Sequence, residues 1–305
     1  MKNIKQHQSI LFIVPVVFSI LSFVAIATWG LKPGIDIAGG SLLQVSVEPK
    51  PEVSQIHEVT KGLELGEVRV QETDGDNFIL RQRELTQDEK SKLMESLGTL
   101  GTVSEVQFNS VGPSIGEEIV RKSWWAIGLV SLAIIAFIAF AFRHVSKPVA
   151  SWKYGVVAII TLLHDILIPT GIFAYLGHAR DAEVGVFFIV AILTTLGISI
   201  NDTIVVFDRI RENLKHNEEK HKGQLFSDIV WNSVKQTLAR SINTSLTVIV
   251  MLLALFVLGP ESTKDFSLTL IVGMVAGTYS SILLASPLLI RIEAWQQHKK
   301  ETKKA

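Results

Sequence analysis

Six runs of about 20 apolar residues constrain this chain more than any other feature: roughly 10–30, 123–142, 154–177, 184–206, 241–259 and 266–290. A hydrocarbon core of ~30 Å is crossed by about 20 residues of helix. In lipid every backbone N–H and C=O must be bonded inside the protein, so runs of this length are read as helices. The chain is 48% hydrophobic over 305 residues, too apolar for an ordinary soluble domain. The expected fold is therefore an α-helical polytopic membrane protein with six transmembrane helices. The first run has a signal-peptide alternative, because Ala25-Ile26-Ala27 resembles a small-residue cleavage site. Its apolar length exceeds the usual signal core of about 7–15 residues, so a retained helix is expected.

Composition also narrows the function classes. Net charge is zero, with 29 basic and 29 acidic residues, so no basic surface points to nucleic acid. There are no cysteines, which removes disulfides, thiolate metal sites and cysteine nucleophiles. No GxxxxGK[ST] phosphate loop occurs, so ATP hydrolysis is not expected. The reading is of a non-enzyme with no catalytic residue, cofactor or metal.

Lysine and arginine placement sets the expected orientation. With the N-terminus inside, the inside segments hold Lys2, Lys5, Arg143, Lys147, Lys153, seven cations between Arg209 and Arg240, and five more from Arg291 to Lys304. The two short outside loops hold only Arg180 and Lys264. Both termini are thus expected in the cytoplasm. The division is residues 1–30 as N-terminus and first span, 31–122 as one large outside domain, 123–290 as the remaining five helices with a cytoplasmic loop at 207–240, and 291–305 as a basic tail.

The outside segment alternates regular elements. Ser41–Glu48 reads as a strand, and Pro51–Leu65 has helical spacing at Val53, Ile56, Val59 and Leu63, with Pro51 suited to a first turn. Glu67–Glu72 and Asn77–Arg83 read as strands around the turn signal Asp74-Gly75. Thr86–Glu89 is a capping box opening a helix to about Leu97, and Thr102–Asn109 alternates again. The order is βαββαβ, the ferredoxin-like α+β pattern. No catalytic cluster appears in it, and a binding or lever role is expected.

Polar residues inside the apolar runs carry the functional signal. A carboxylate in a membrane helix costs about 2.5–3.5 kcal/mol or more, so it is kept with a partner, a water path or a task. Thr195, Ser199 and Asp202 lie on one helical stripe of the fourth run, with Asn201 beside it. Arg240, Asn243, Thr244 and Thr247 share a stripe in the fifth, and Thr161 and Asp165 are a turn apart in the third, with His164 adjacent. Thr161, Thr244 and Thr247 are expected to bond mainly to their own backbone. Asp202 has two open readings, a structural ion pair with Arg240 or a proton site whose arginine partner moves. Gly273 and Gly277 form GxxxG, expected to pack within the bundle. The fourth run continues into the charged face Asp208, Arg209, Arg211 and Glu212. Residues 226–239 read as an amphipathic helix lying along the membrane surface.

Several motifs together resemble the SecF family, whose members are the smaller partners of SecD in the bacterial protein-export accessory complex. They are Gly34-Ile35-Asp36-Ile37-Ala38-Gly39-Gly40, His164-Asp165 followed by Gly171-Ile172-Phe173, Ser199–Asn213 (SINDTIVVFDRIREN) and Leu238–Thr247 (LARSINTSLT). Ile37 and Ala38 depart from the aromatic and small hydroxyl residues common in the glycine motif. The resemblance implies a proton-driven transporter superfamily that includes drug-efflux pumps. It implies partnership with SecD and the SecYEG channel in the inner membrane, and late, ATP-independent export of unfolded polypeptide driven by the proton-motive force. It assigns proton coupling to Asp202 and Arg240, with Asp165 at another motif position. Ser199, Asn201, His164, Asn243 and Thr244 stand as supporting polar residues, Gly34, Asp36, Gly39 and Gly40 as the glycine motif. The alternative is a stand-alone proton-coupled exporter of small solutes or lipids from the same superfamily.

Overall fold

The structure is a computed structural model that describes residues 8–73, 75–141, 149–221 and 223–302. Asp74 of the expected turn, and Lys2, Lys5, Arg143, Lys147, Lys222, Lys303 and Lys304 of the charge pattern, lie outside the described residues. The chain forms two compact units. One comprises 33–125 with 183–186, and the other comprises 1–32, 126–182 and 187–305.

The smaller unit is an α+β domain. Its elements are α2 (Ile35–Ala38), β1 (Gly40–Glu48), α3 (Val53–Thr60), β2 (Arg69–Glu72), β3 (Asn77–Gln82), α4 (Gln87–Gly98) and β4 (Thr102–Val111). The sheet order is β2-β3-β1-β4, with every pairing antiparallel. Alternation decides which face is buried: Leu43, Val45 and Val47 of β1 and Phe78 and Leu80 of β3 all point into one core with Ile56 of α3 and Leu93 and Leu97 of α4. The capping box forms as the sequence predicts. Thr86 Oγ1 accepts from the Glu89 N–H at 3.3 Å, and Glu89 Oε2 accepts from the Thr86 N–H at 2.8 Å. The helix after β1 starts at Val53 with Glu52 as its cap, so Pro51 precedes the first turn rather than filling it. The short helix α2 within the glycine motif is not anticipated by periodicity, because four residues give too little of it.

The larger unit is helical. Its elements are α1 (Gln8–Trp29), α5 (Pro113–Ala141, which begins in the smaller unit), α6 (Ser151–Arg180), α7 (Val186–Glu219), α8 (Phe226–Leu258), α9 (Glu261–Ser280) and α10 (Ser286–Thr302). A π-helical turn, Ser281–Ala285, joins α9 to α10, so the sixth apolar run is one long helix. Pro287 gives the reason for the wide turn. It has no N–H to donate, and its ring crowds the carbonyl one turn back. Ser286 Oγ instead donates to the Ser281 carbonyl at 3.0 Å. Six stretches are long and apolar enough to cross a bilayer, and the protein is multi-pass.

Two boundaries differ from expectation. The second membrane helix begins at Pro113, ten residues before its apolar run, because Pro is favoured in a first helical turn and the charged stretch after it has good helix formers. Residues 226–239 are not a separate surface helix but the first half of α8. Their apolar face is covered by protein: Phe226, Ile229, Val230, Trp231 and Val234 are buried in a core shared with Tyr154 of α6, Phe207, Ile210 and Leu214 of α7 and Leu289 of α10. The sequence shows an apolar stripe, which fits lipid and a helical neighbour equally well, and the α7 extension supplies the neighbour.

Candidate functional site

A polar cluster runs through the apolar interior of the helical unit. Asp165 of α6 is fully buried, and both its oxygens are engaged. His164 Nδ1 lies 2.9 Å from Oδ1, and Ser199 Oγ of α7 donates to Oδ2. The other imidazole nitrogen, Nε2, is 3.1 Å from the Tyr279 hydroxyl of α9, whose ring meets the imidazole edge-on. One turn beyond Ser199 on the same face, Asp202 is also buried. Among the described residues it takes one hydrogen bond, a long one, 3.4 Å from the Ser245 hydroxyl of α8 to Oδ2. Thr278 Oγ1 of α9 lies 2.7 Å from Ser245 Oγ, and its proton can go there or to the Met274 carbonyl, also 2.7 Å away. The cluster thus ties α6, α7, α8 and α9 together through side chains.

Small residues let these helices approach. A Cβ added at Gly273 would stand 2.4 Å from Thr195 Oγ1, and one at Gly277 would stand 2.9 Å from Ser199 Cβ and Oγ. The GxxxG motif is therefore a packing face within the bundle, set against the Thr195/Ser199 stripe of α7. Thr195 Oγ1 and Ser241 Oγ are buried here without a hydrogen-bond partner among the described residues.

The structure gathers Asp165, His164, Ser199 and Asp202 and leaves the other membrane residues outside. Arg240, Asn201, Asn243 and Thr244 are exposed on the chain's surface, and among the described residues Arg240 forms no ion pair with Asp202. The reason is angular. On α8 the buried stripe is Ser241 and Ser245, and Arg240, Asn243, Thr244 and Thr247 occupy the opposite side. Thr161, Thr244 and Thr247 each bond a carbonyl one turn back, at 2.8–2.9 Å. Ser245, Thr278 and Tyr279 are the members sequence reading missed. The four-residue step from Ser241 to Ser245 carried the signal, masked by the stronger stripe beginning at Arg240.

The glycine motif belongs to the smaller unit and serves as a clasp there. The Gly34 N–H bonds the Val184 carbonyl at 2.9 Å, and Asp36 Oδ2 accepts from the Val186 N–H at 3.3 Å. Gly39 and Gly40 have φ of +76° and +137°, and a Cβ on either would stand 2.7–2.8 Å from backbone of Pro113 or Gln82. Arg81 Nε, 3.1 Å from a Glu183 carboxylate oxygen, fastens the same loop.

The charged motif on the α7 extension is intrahelical and interhelical at once. Arg211 pairs with Asp208 at 2.6 Å, and Arg209 pairs with Glu212. Arg209 Nε also reaches Gln236 Oε1 of α8, and Asn213 Nδ2 donates to Ser233 Oγ and Gln236 Oε1 at 2.8 and 2.9 Å. These bonds hold the two helix extensions side by side. Among the described residues no group of three or more His, Asp and Glu side chains could hold a metal.

Proteins similar to this chain in sequence and in structure identify its family. A family model described as "Protein export membrane protein SecD/SecF, C-terminal" matches residues 90–295, and one described as "SecD/SecF GG Motif" matches 24–51, around the clasp. The "Protein translocase subunit SecF" of Thermobaculum terrenum is 42% identical, covering 93% of this chain and 90% of that protein. The SecF subunit of Anaerolinea thermophila is 34% identical, covering 95% and 94%. The crystal structure of SecDF from Thermus thermophilus, titled a translocon-associated membrane protein, superposes with a TM-score of 0.80 at 30% identity. The match covers 97% of this chain but only 38% of that one, so this chain spans well under half of the SecDF polypeptide. The chain belongs to the SecD/SecF family of protein-export membrane proteins, within its SecF branch.

Proposed function

We propose that the chain is a protein-export accessory subunit that works with SecD at the SecYEG channel, using the proton-motive force to promote late translocation of unfolded polypeptide. It sits in the inner membrane with both termini cytoplasmic and catalyses no chemical reaction. One observation carries the proton role. Two buried carboxyls share a helix junction, yet Asp165 is held by donors on both oxygens, whereas Asp202 has one long bond to Ser245. Asp202 is the carboxyl with room to gain and lose a proton, and Ser245 and Thr278 offer hydroxyls that relay it between α8 and α9.

The outward stripe of α8 supports the partnership. A guanidinium and three polar side chains on the surface of an apolar span are costly against lipid, and another helical subunit relieves that cost. In this reading SecD covers Arg240, Asn243, Thr244 and Thr247, and Arg240 approaches the carboxyls in one state of the assembled cycle. The driving force is of a suitable size. One charge crossing 100 mV yields about 2.3 kcal/mol. That biases a two-state rearrangement by roughly fiftyfold, a nudge suited to preventing backsliding of a chain in transit.

The test uses proteoliposomes containing the chain and SecD, with a pH dye inside, comparing wild type with Asp202→Asn in the presence and absence of unfolded polypeptide. Proton entry that requires Asp202 and responds to polypeptide is expected. Equal flux in two correctly assembled complexes would overturn the role given to Asp202.

A further inference from the structure

We propose that the end of the bundle where α1 begins carries a binding site for an anionic phospholipid headgroup, built from Lys153, Arg291 and Lys299 around Trp152 and Trp295. Arg291, Trp295 and Lys299 follow one another at four-residue steps, so they form a stripe on α10. Lys153, near the start of α6, reaches the same place: its Nζ is 5.5 Å from the Trp152 ring centre and 5.9 Å from that of Trp295. Lys299 Nζ lies 5.0 Å from the Trp295 ring centre, and the Arg291 guanidinium carbon is 3.9 Å from the Phe12 ring of α1.

Three cations are thus oriented by aromatic faces rather than by carboxylates. None of them forms an ion pair among the described residues. Glu293, two residues from Arg291 on α10, is buried, 8% exposed, and takes a hydrogen bond from Gln297. A cation over a ring keeps most of its charge available to an anion, because the ring offers only its quadrupole.

The surroundings favour a lipid over a free anion. Trp152 and Trp295 are 61% and 60% exposed, as expected of indoles at the boundary between hydrocarbon and headgroups. From Trp152 the same side of α6 continues through Val156, Ile160 and Leu163, all outward-facing and apolar. An acyl chain has a path along that stripe while its phosphate sits among the cations, where Arg291 can bind two oxygens and the lysines act as point charges. Basic pockets between membrane helices recognise anionic headgroups by this chemistry.

The experiment is native mass spectrometry of the full chain in detergent with dioleoylphosphatidylglycerol and dioleoylphosphatidylcholine, which share acyl chains and differ in headgroup charge. At about fivefold per cation, wild type is expected to prefer the anionic lipid by roughly a hundredfold. Combining Lys153→Gln, Arg291→Gln and Lys299→Gln brings that preference to within a few-fold. Lys299→Gln alone, on the exposed last turns of α10, loses about fivefold and guards against misfolding of the triple variant. Combining Lys215→Gln, Lys220→Gln and Lys235→Gln removes equal charge elsewhere and leaves the preference intact. Equal binding of the two lipids, or a preference untouched by the triple variant, would overturn the site. Displacement of the lipid by excess inorganic phosphate would reassign it to a free anion. A triple variant that keeps its lipid preference but loses a co-purifying protein would make the face a protein interface instead.

Discussion

Ser199 on α7 donates a hydrogen bond to Asp165 on α6, joining two membrane helices at a point where both residues are buried. His164 is the other group on that carboxyl, so removing the serine hydroxyl leaves half of a buried acid without a donor. Ser199→Ala is expected to destabilise the protein by about 1–3 kcal/mol, the range for orphaning a buried polar group. Thermal melting in detergent measures it. The cost should shrink on an Asp165→Asn background, since residues that share a bond are not additive.

The two carboxyls should respond differently to truncation. Asp165→Ala strands both His164 and Ser199 and is expected to cost about 2–6 kcal/mol, from about 1–3 kcal/mol for each buried polar group left without its partner. Asp202→Ala removes a group with a single 3.4 Å bond and should cost about 1 kcal/mol or less. Melting curves of the two variants decide the matter. Similar large losses for both would mean that Asp202 is a structural pin.

How much of this was legible in the sequence depends on what each residue contacts. The six spans, the βαββαβ order and the Thr86–Glu89 cap are local, because periodicity and caps report on residues within one turn or one strand. The Asp165–Ser199 junction was half legible: both residues stood out, but their pairing depends on how α6 and α7 rotate against each other. The stripe that begins at Arg240 shows the same limit. A stripe in the sequence says which residues share a face, and only packing says that Ser241 and Ser245 turn inward. The clasp between Gly34, Asp36 and residues 183–186 was illegible, since nearly 150 residues separate its halves.

The burial of residues 226–239 can be tested against a surface-helix alternative. Ile229 is 2% exposed within the α6–α7–α8 core. Ile229→Ala should therefore cost about 2–5 kcal/mol, the range for emptying a packed site. A helix lying on lipid would lose membrane affinity instead and keep its melting temperature.

Acid titration reports on the α+β domain. Arg83 and the Thr86 N–H both bond the Glu89 carboxylate, and they hold its pKa at about 2, below its ordinary 4.5. A lowered folded pKa means that this contribution is complete above about pH 4.5 and is lost as pH falls towards 2. In Arg83→Ala the Glu89 midpoint should rise towards its ordinary value and stop short of it, because the Thr86 bond remains. Carboxylate-carbon NMR on the full chain, labelled at glutamate, follows that midpoint; an unmoved midpoint would rule the pair out as the cause.

The contact between Gly277 and Ser199 links packing to the polar cluster. A methyl group at Gly277 would stand 2.9 Å from both Cβ and Oγ of Ser199, closer than real Cβ contacts allow. Gly277→Ala must therefore push α9 from α7 or turn Ser199 away from Asp165. Either response disturbs the cluster, and overpacking of this kind costs about 1–3 kcal/mol. Gly197, on the same helix as Ser199, has open space where its Cβ would go. Gly197→Ala should be neutral or slightly stabilising, since alanine is the better helix former. Loss of proton flux in Gly277→Ala with none in Gly197→Ala would tie that flux to the Ser199–Asp165 junction. Equal behaviour of the two variants would show that the α7–α9 contact is loose enough to absorb a methyl group.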